Sequence, residues 1–243
     1  MRILAVVVAV STVRFAAAEA PTLAVESGVF SQYVWRGMLE TDGPVLENSV
    51  TAGWHGAHLN IWTNQDLNSV NGRRGEIGEV DFDAGYDRSL EKAVLSAGMI
   101  RYTFPNTLTA ANTELYAGAA LKMPLRPSAK VFFDAGRIHG TYLTLDVSHT
   151  VPLPPLAESA TWSIELAAGA GWGSSGYSQA YFHLREPGWV DFHPGIGVPF
   201  RFGKHWGCTP RLSYASLARG PLRQSLVPSA HNFVAGVALG FTL

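Results

Sequence analysis

The sequence predicts an all-β protein: a closed antiparallel transmembrane β-barrel of about twelve strands. Three observations lead there. Segments of about ten residues alternate apolar with polar or small side chains, the two-residue period of a strand whose faces meet different surroundings. Aromatic residues sit near the ends of the apolar faces. No segment beyond residue 20 offers the ~18 apolar residues that a spanning helix needs. Composition agrees. Of 243 residues, 47% are hydrophobic and 15% charged, against about 25% charged in an ordinary soluble domain, which argues against disorder. The net charge of −1 excludes a strongly basic nucleic-acid binder. A single cysteine, Cys208, excludes an internal disulfide and a zinc cluster.

The elements follow in chain order. Residues 1–18 read as a secretion signal: Arg2 gives the positive start, Ile3 to Val13 is mostly apolar, and Ala16-Ala17-Ala18 is a small-residue cleavage site. Cleavage after Ala18 leaves Glu19 first; cleavage after Ala20 is the alternative and leaves Pro21 first. Removing Arg2 and Arg14 leaves 16 basic against 19 acidic residues, a charge of −3. The mature barrel is then 19–243, with strands expected at 24–36, 44–54, 57–65, 76–87, 93–104, 112–123, 128–137, 140–150, 160–172, 189–202, 204–214 and 231–243. An even number suits a bacterial barrel.

Two faces emerge. Trp162, Ile164, Leu166, Ala168, Ala170 and Trp172 share one parity, with tryptophans ten residues apart. At about 3.3 Å per residue and a tilt near 40° this spans roughly 25 Å, the height of an outer-membrane apolar band with its aromatic girdles. Phe192 with Phe200, and Phe233 with Phe241, repeat the theme, and Tyr33 and Trp35 are expected to join the girdle from the first strand. The opposite parity is polar: Glu79, Asp81 and Asp83; Tyr142, Thr144, Asp146 and Ser148; Asp191, His193 and Arg201; and His58, Asn60 and Asn64, although Trp62 falls among these last. Such a face must see water or other polar groups, and a closed barrel supplies both. In 93–104 the register is ambiguous, because Arg101 shares parity with Leu95 and Met99.

Connections give an independent check. With both termini in the periplasm, turns at 55–56, 88–92, 124–127 and 203 are short and inner, whereas 66–75, 105–111, 173–188 and 215–230 are long and outer. Ile138-His139 is short for an outer loop, and 151–159 is long for an inner turn. The competing fold, an exported soluble β-sandwich or jelly roll, would have shorter strands and no girdles.

Ser31-Gln32-Tyr33-Val34-Trp35-Arg36-Gly37, followed by Thr41-Asp42-Gly43-Pro44, resembles the small bacterial outer-membrane proteins described as TorF-type putative porins. The resemblance continues in Trp62-Thr63-Asn64, Glu79 to Tyr86 and Tyr102-Thr103-Phe104-Pro105, and fades after about the first hundred residues. Thr41 stands where relatives often have serine, and the basic Arg73-Arg74 loop departs from the pattern. The resemblance implies a small outer-membrane barrel more than it implies an activity.

The expected lumen lining is Arg36, Glu79, Asp81, Asp83, Glu114, Asp134, Asp146, Glu165, Asp191, Arg201 and Arg211. A buried arginine needs carboxylates, and for Arg36 the candidates are Glu79, Asp81 and Asp83. These groups either stiffen the barrel as an interior ion-pair network or form a charged constriction that selects solutes. Arg73, Arg74, Arg219 and Arg223 are expected in outer loops. Enzymatic chemistry is not expected. Ser148 and His149 are adjacent and point to opposite faces, no Gly-x-Ser-x-Gly occurs, and Asp191 with His193 belongs to the polar interior. His55 and His58 do not make a metal site by spacing alone. The sequence thus predicts a bacterial outer-membrane porin passing small polar solutes without cofactor or metal, with membrane lipids and solutes as partners and no nucleic acid. The alternatives are a closed structural or adhesion barrel that binds a partner through its outer loops, and a lipid-modifying enzyme.

Overall fold

Twelve wall segments pair edge to edge in chain order, and the last returns to the first. The computed structural model describes residues 20–224 and 229–243; the signal segment 1–18 and the junction after Ala18 lie outside the described residues. The strands are β1 (Thr22–Phe30), β2 (Val45–Trp54), β3 (Ala57–Asp66), β4 (Ile77–Ser89), β5 (Ala93–Thr103) and β6 (Asn112–Leu121). They continue as β7 (Ser128–Asp134), β8 (Thr141–Pro152) and β9 (Ala160–Gly173). Next comes β10, broken into Gly188–Phe192, Gly195–Gly197 and Phe200–Phe202, and then β11 (Trp206–Leu217) and β12 (His231–Thr242). Every pairing is antiparallel, and β1 meets β12 over seven residues from Ala24↔Thr242 to Phe30↔Gly236. Closure leaves no unpaired edge, the condition a strand protein must meet in hydrocarbon.

Leu59, Ile61, Leu95, Met99, Leu145, Val147, Leu166, Val237 and Leu239 are exposed on the outside, while acids of the opposite parity point in. Arg101 shares the outer parity with Leu95 and Met99 and donates to the Thr113 hydroxyl, which settles the register of β5. Trp162 and Trp172 share parity with exposed Leu166; Phe192 and Phe233 are exposed outside. Towards the end that carries the termini, Trp162 stacks on Phe200 (5.8 Å) and Trp206 packs on Phe241 (4.8 Å). Towards the far end, Trp172 pairs with Trp189, and Tyr214 packs on Phe233 (4.8 Å). The register line from Trp172 through Leu143 and Val131 to Tyr86, Ala57 and Trp54 crosses seven strand spacings. At about 4.8 Å per strand and a tilt near 40° it descends about 22 Å, close to the expected apolar height.

The termini-side turns are compact. His55-Gly56 (φ 51° and 90°) and Leu125-Arg126 (φ 63° and 36°) take the positive φ that tight turns between twisted strands require. The β7–β8 connection is an outer loop and 153–159 an inner turn, so the strand order expected from the sequence holds and only the length rule fails there.

The first strand differs from expectation. The wall ends at Phe30, not at 36, and resumes at Val45. Between them Tyr33–Trp35 and Met38–Thr41 pair only with each other, as a small separate hairpin. This inner hairpin turns into the barrel. Tyr33 (3% exposed) and Trp35 (0%) are therefore interior and not part of the lipid-facing girdle. A twelve-stranded wall at this tilt has a backbone radius of about 12 Å, wide enough to accept a two-stranded ribbon among inward side chains.

Candidate functional site: a plugged polar lumen

The hairpin owes its course to two residues. Arg36 (φ 43°) and Gly37 (φ 82°) form its tip, where only a residue pair tolerant of positive φ closes a two-residue turn. A Cβ on Gly37 would also lie 2.7 Å from that of Asp191 on the wall. At its base the Ser31 amide donates to Ala235 O (2.8 Å) and the Ala235 amide donates to Ser31 Oγ (3.0 Å). Further up, Gln32 donates to Asp42 (2.8 Å), and Thr41 donates to buried Asp66 on β3 (2.9 Å), which Arg73 also approaches (3.6 Å).

The tip places a guanidinium on the far wall. Arg36 Nη1 and Nη2 donate to Glu114 Oε1 and Oε2 on β6 at 3.0 and 2.7 Å, a two-pronged pair. Its Cζ lies 4.1 Å from the Tyr142 ring centroid, 4.5 Å from Trp35 and 4.8 Å from Phe132, distances at which a cation is attracted by a ring face. Arg36 is thus interior as expected, but it arrives on the hairpin tip rather than the first wall strand. Its partner is Glu114, not Glu79, Asp81 or Asp83. Alternation along one strand could not reveal a partner on the opposite wall. The Tyr33 hydroxyl donates to Glu79 (2.7 Å) and its ring packs on Trp62 (5.6 Å), which explains why Trp62 falls on the inner face.

A second outer connection seals the mouth. Helix α1 (Ser175–Phe182) starts at Ser174, whose hydroxyl accepts from the amides of Tyr177 (3.3 Å) and Thr141 (2.9 Å). Tyr177 packs on Tyr142 (5.3 Å) and Tyr181 on Trp35 (5.2 Å). Burial pushes both phenols up, so each remains neutral. The one-turn helix α2 (Gly220–Arg223) adds buried Leu222 to the same cluster. The far half of the interior is therefore a packed aromatic core rather than a wholly polar lining. Outside it lies a vestibule of about 450 Å³, bordered by Tyr33, Thr41, Asp66, Arg73 and Thr107.

The half nearer the termini stays polar. Arg211 pairs with Glu26 through two bonds (3.1 and 3.0 Å). The Tyr116 hydroxyl donates to Asp83 (3.1 Å) and lies 3.2 Å from His58 Nε2. Tyr116 also covers Gly85 and Gly98, where an added Cβ would come within 2.5 Å of it, so inward glycines seat rings from neighbouring strands. His193 stands between two carboxylates, Nδ1 2.6 Å from Asp191 and Nε2 3.0 Å from Asp146. Neither ring nitrogen faces a serine hydroxyl. Asp191 also accepts from Tyr142 (2.8 Å), and Thr144 donates to Asp146 (2.8 Å).

The remaining expected lining residues divide. Glu165 points inward and is half-buried, Arg201 is exposed near the termini-side mouth, and Asp81 is buried. Asp134 is held at the far end of the wall, accepting from Asn112 on β6 and from the amides of Gly136 and Ile138 in the loop that follows it. Sequence reading passed over Glu47 and Asp66, although both share parity with inward neighbours. A cavity of about 90 Å³ lies beside the hairpin, with Glu47, Glu165, His193 and Arg211 on its polar side.

No family model and no curated relative matches the chain. Among solved structures it is similar to the NanC porin (13% identity, TM-score 0.48, 91% of this chain and 98% of that one). It is also similar to an outer membrane channel from Pseudomonas putida F1 (10% identity, TM-score 0.48, 92% and 95%). A third is the beta domain of the Bordetella autotransporter Brka (12% identity, TM-score 0.45, 91% and 97%). Likeness at this level carries no argument about activity, and the TorF-type resemblance receives no support from it.

Proposed function

We propose that this chain is a bacterial outer-membrane channel for small polar solutes, closed at rest by its inner hairpin. Lipid lies against the apolar outer face, and solutes pass by diffusion through the charged interior without covalent chemistry. The observation that carries this reading is the contrast between wall and plug. The wall is continuous, whereas the hairpin pairs only with itself and is tied to β3, β4, β6 and β12 by wall side chains, above all Arg36 to Glu114. Such an element can leave without unzipping the barrel. The polar half behind it, with Glu26, Asp83, Asp146, Glu165 and Arg211, forms the conduction path once it does.

The test is planar-bilayer conductance of refolded mature protein, compared with a variant in which residues 33–41 are replaced by a short Gly-Ser connection. The intact chain should show rare, small openings and the shortened chain large, persistent ones. Folded protein that conducts in neither form would overturn the reading. That outcome would favour a closed barrel acting through its outer loops, for which the buried cluster of Trp35, Tyr142 and Tyr177 is the supporting observation.

A further inference from the structure

The wall has one badly zipped strand. Proline is confined to edges and bulges in ordinary sheets, because it cannot donate to a ladder. A closed barrel has no edge, yet three prolines surround β10. At Pro194↔Tyr214 only the Tyr214 amide donates (2.9 Å), and at Val198↔Pro210 only the Val198 amide does (3.0 Å). An antiparallel pair of this kind normally exchanges two bonds. Pro199, on the other side, accepts from the Ser163 amide (3.2 Å) and returns none. Apart from these three, the wall strands among the described residues contain only Pro152, the last residue of β8. The ladder breaks into three short pieces in consequence.

Between the inward side chains of His193 and Arg211 the same seam carries only small residues: Gly195, Gly197, Ser213 and Ala215 face inward there, and the cavity of about 90 Å³ lies directly against both lips. The cavity's apolar side is Phe30, Val34, Ala167 and Val234. Outside the lips stand Ile196 and Leu212, exposed to hydrocarbon.

We propose that the β10–β11 seam is a lateral portal through which the terminal few methylenes of one acyl chain of a membrane lipid enter this cavity. The occupant follows from position. The far mouth is filled by the inner hairpin, and what lies against Ile196 and Leu212 is hydrocarbon. The missing donors lower the cost of parting the strands, and the glycine-lined recess receives what passes. This inference does not depend on solute conduction.

The test uses full mature protein in phosphatidylethanolamine vesicles containing a phospholipid with a diazirine on its acyl chain. After irradiation, adducts are mapped by peptide mass spectrometry. Inward residues Phe30, Val34 and Val234 should be labelled alongside the outer face. The double variant Pro194→Ala/Pro210→Ala returns the missing donors and should reduce inward labelling several-fold while leaving Leu239 labelling unchanged. Gly195→Leu, which fills the recess, should do the same and serves if the proline variant does not fold. Folding is checked by heat-dependent gel migration. Labelling confined to the outer face of the unaltered protein would overturn the proposal. So would inward labelling that survives in folded variants.

Discussion

Replacing Arg36 with alanine should both weaken the plug and open the lumen, and the size of the effect follows from the contacts. Glu114 is nearly fully buried, and without Arg36 its remaining hydrogen bond is from the Tyr102 hydroxyl (2.8 Å). Leaving one member of a buried ion pair alone costs about 3–5 kcal/mol. Loss of the ring contacts at 4.1–4.8 Å adds about 1 kcal/mol or more. If that energy holds the hairpin inside, its removal shifts the inside-to-outside ratio by roughly three to four powers of ten. The assay is paired: open probability in planar bilayers, and urea unfolding in lipid vesicles. Glu114→Gln should act in the same direction. The double variant Arg36→Ala/Glu114→Ala should be less destabilised than the two single changes together, with a coupling of about 2 kcal/mol or more. Coupling near zero, or conductance of Arg36→Ala indistinguishable from the unaltered chain, would refute the idea that this pair latches the plug.

Three further expectations test other parts of the architecture. Leu166→Arg, on the lipid face of β9, should lower folding stability in vesicles by about 2–4 kcal/mol, and a negligible effect would contradict the membrane-facing assignment. Gly171→Ala would set a Cβ about 2.1 Å from the Tyr142 hydroxyl and 2.2 Å from Asp191, so unfolding in urea should show a loss of about 1–3 kcal/mol. Arg211→Ala releases the Glu26 carboxylate into the polar half of the lumen; reversal potentials in a salt gradient should shift towards cation preference in a variant with the hairpin removed.

Much of the wall was legible in the sequence. Strand order, facing and most boundaries follow from two-residue alternation, because a buried or lipid-facing row must repeat with the pleat. The aromatic pairs Trp162 with Phe200 and Tyr214 with Phe233 needed register across strands, which one strand's pattern does not contain. The hairpin was misread for a physical reason. Tyr33 and Trp35 alternate as a girdle residue pair would, and Arg36-Gly37 passed as a strand end, although a glycine that follows a polar residue between apolar neighbours is also the signature of a tight turn. The brackets at Ser31 and at Asp42-Gly43-Pro44 were the available hint that a separate unit lay between them.

Local pattern alone determined that this chain forms a ring of tilted strands with hydrocarbon outside, since alternation, chain length and the requirement to satisfy every backbone group in lipid leave few other solutions. Only the tertiary structure decided what fills the ring. The pairing of Arg36 with Glu114, 78 positions apart, and the seating of Tyr142 between Arg36 and Asp191 depend on which walls face each other across the lumen. That is set by closure and register summed over the whole barrel, and no short stretch of sequence carries it.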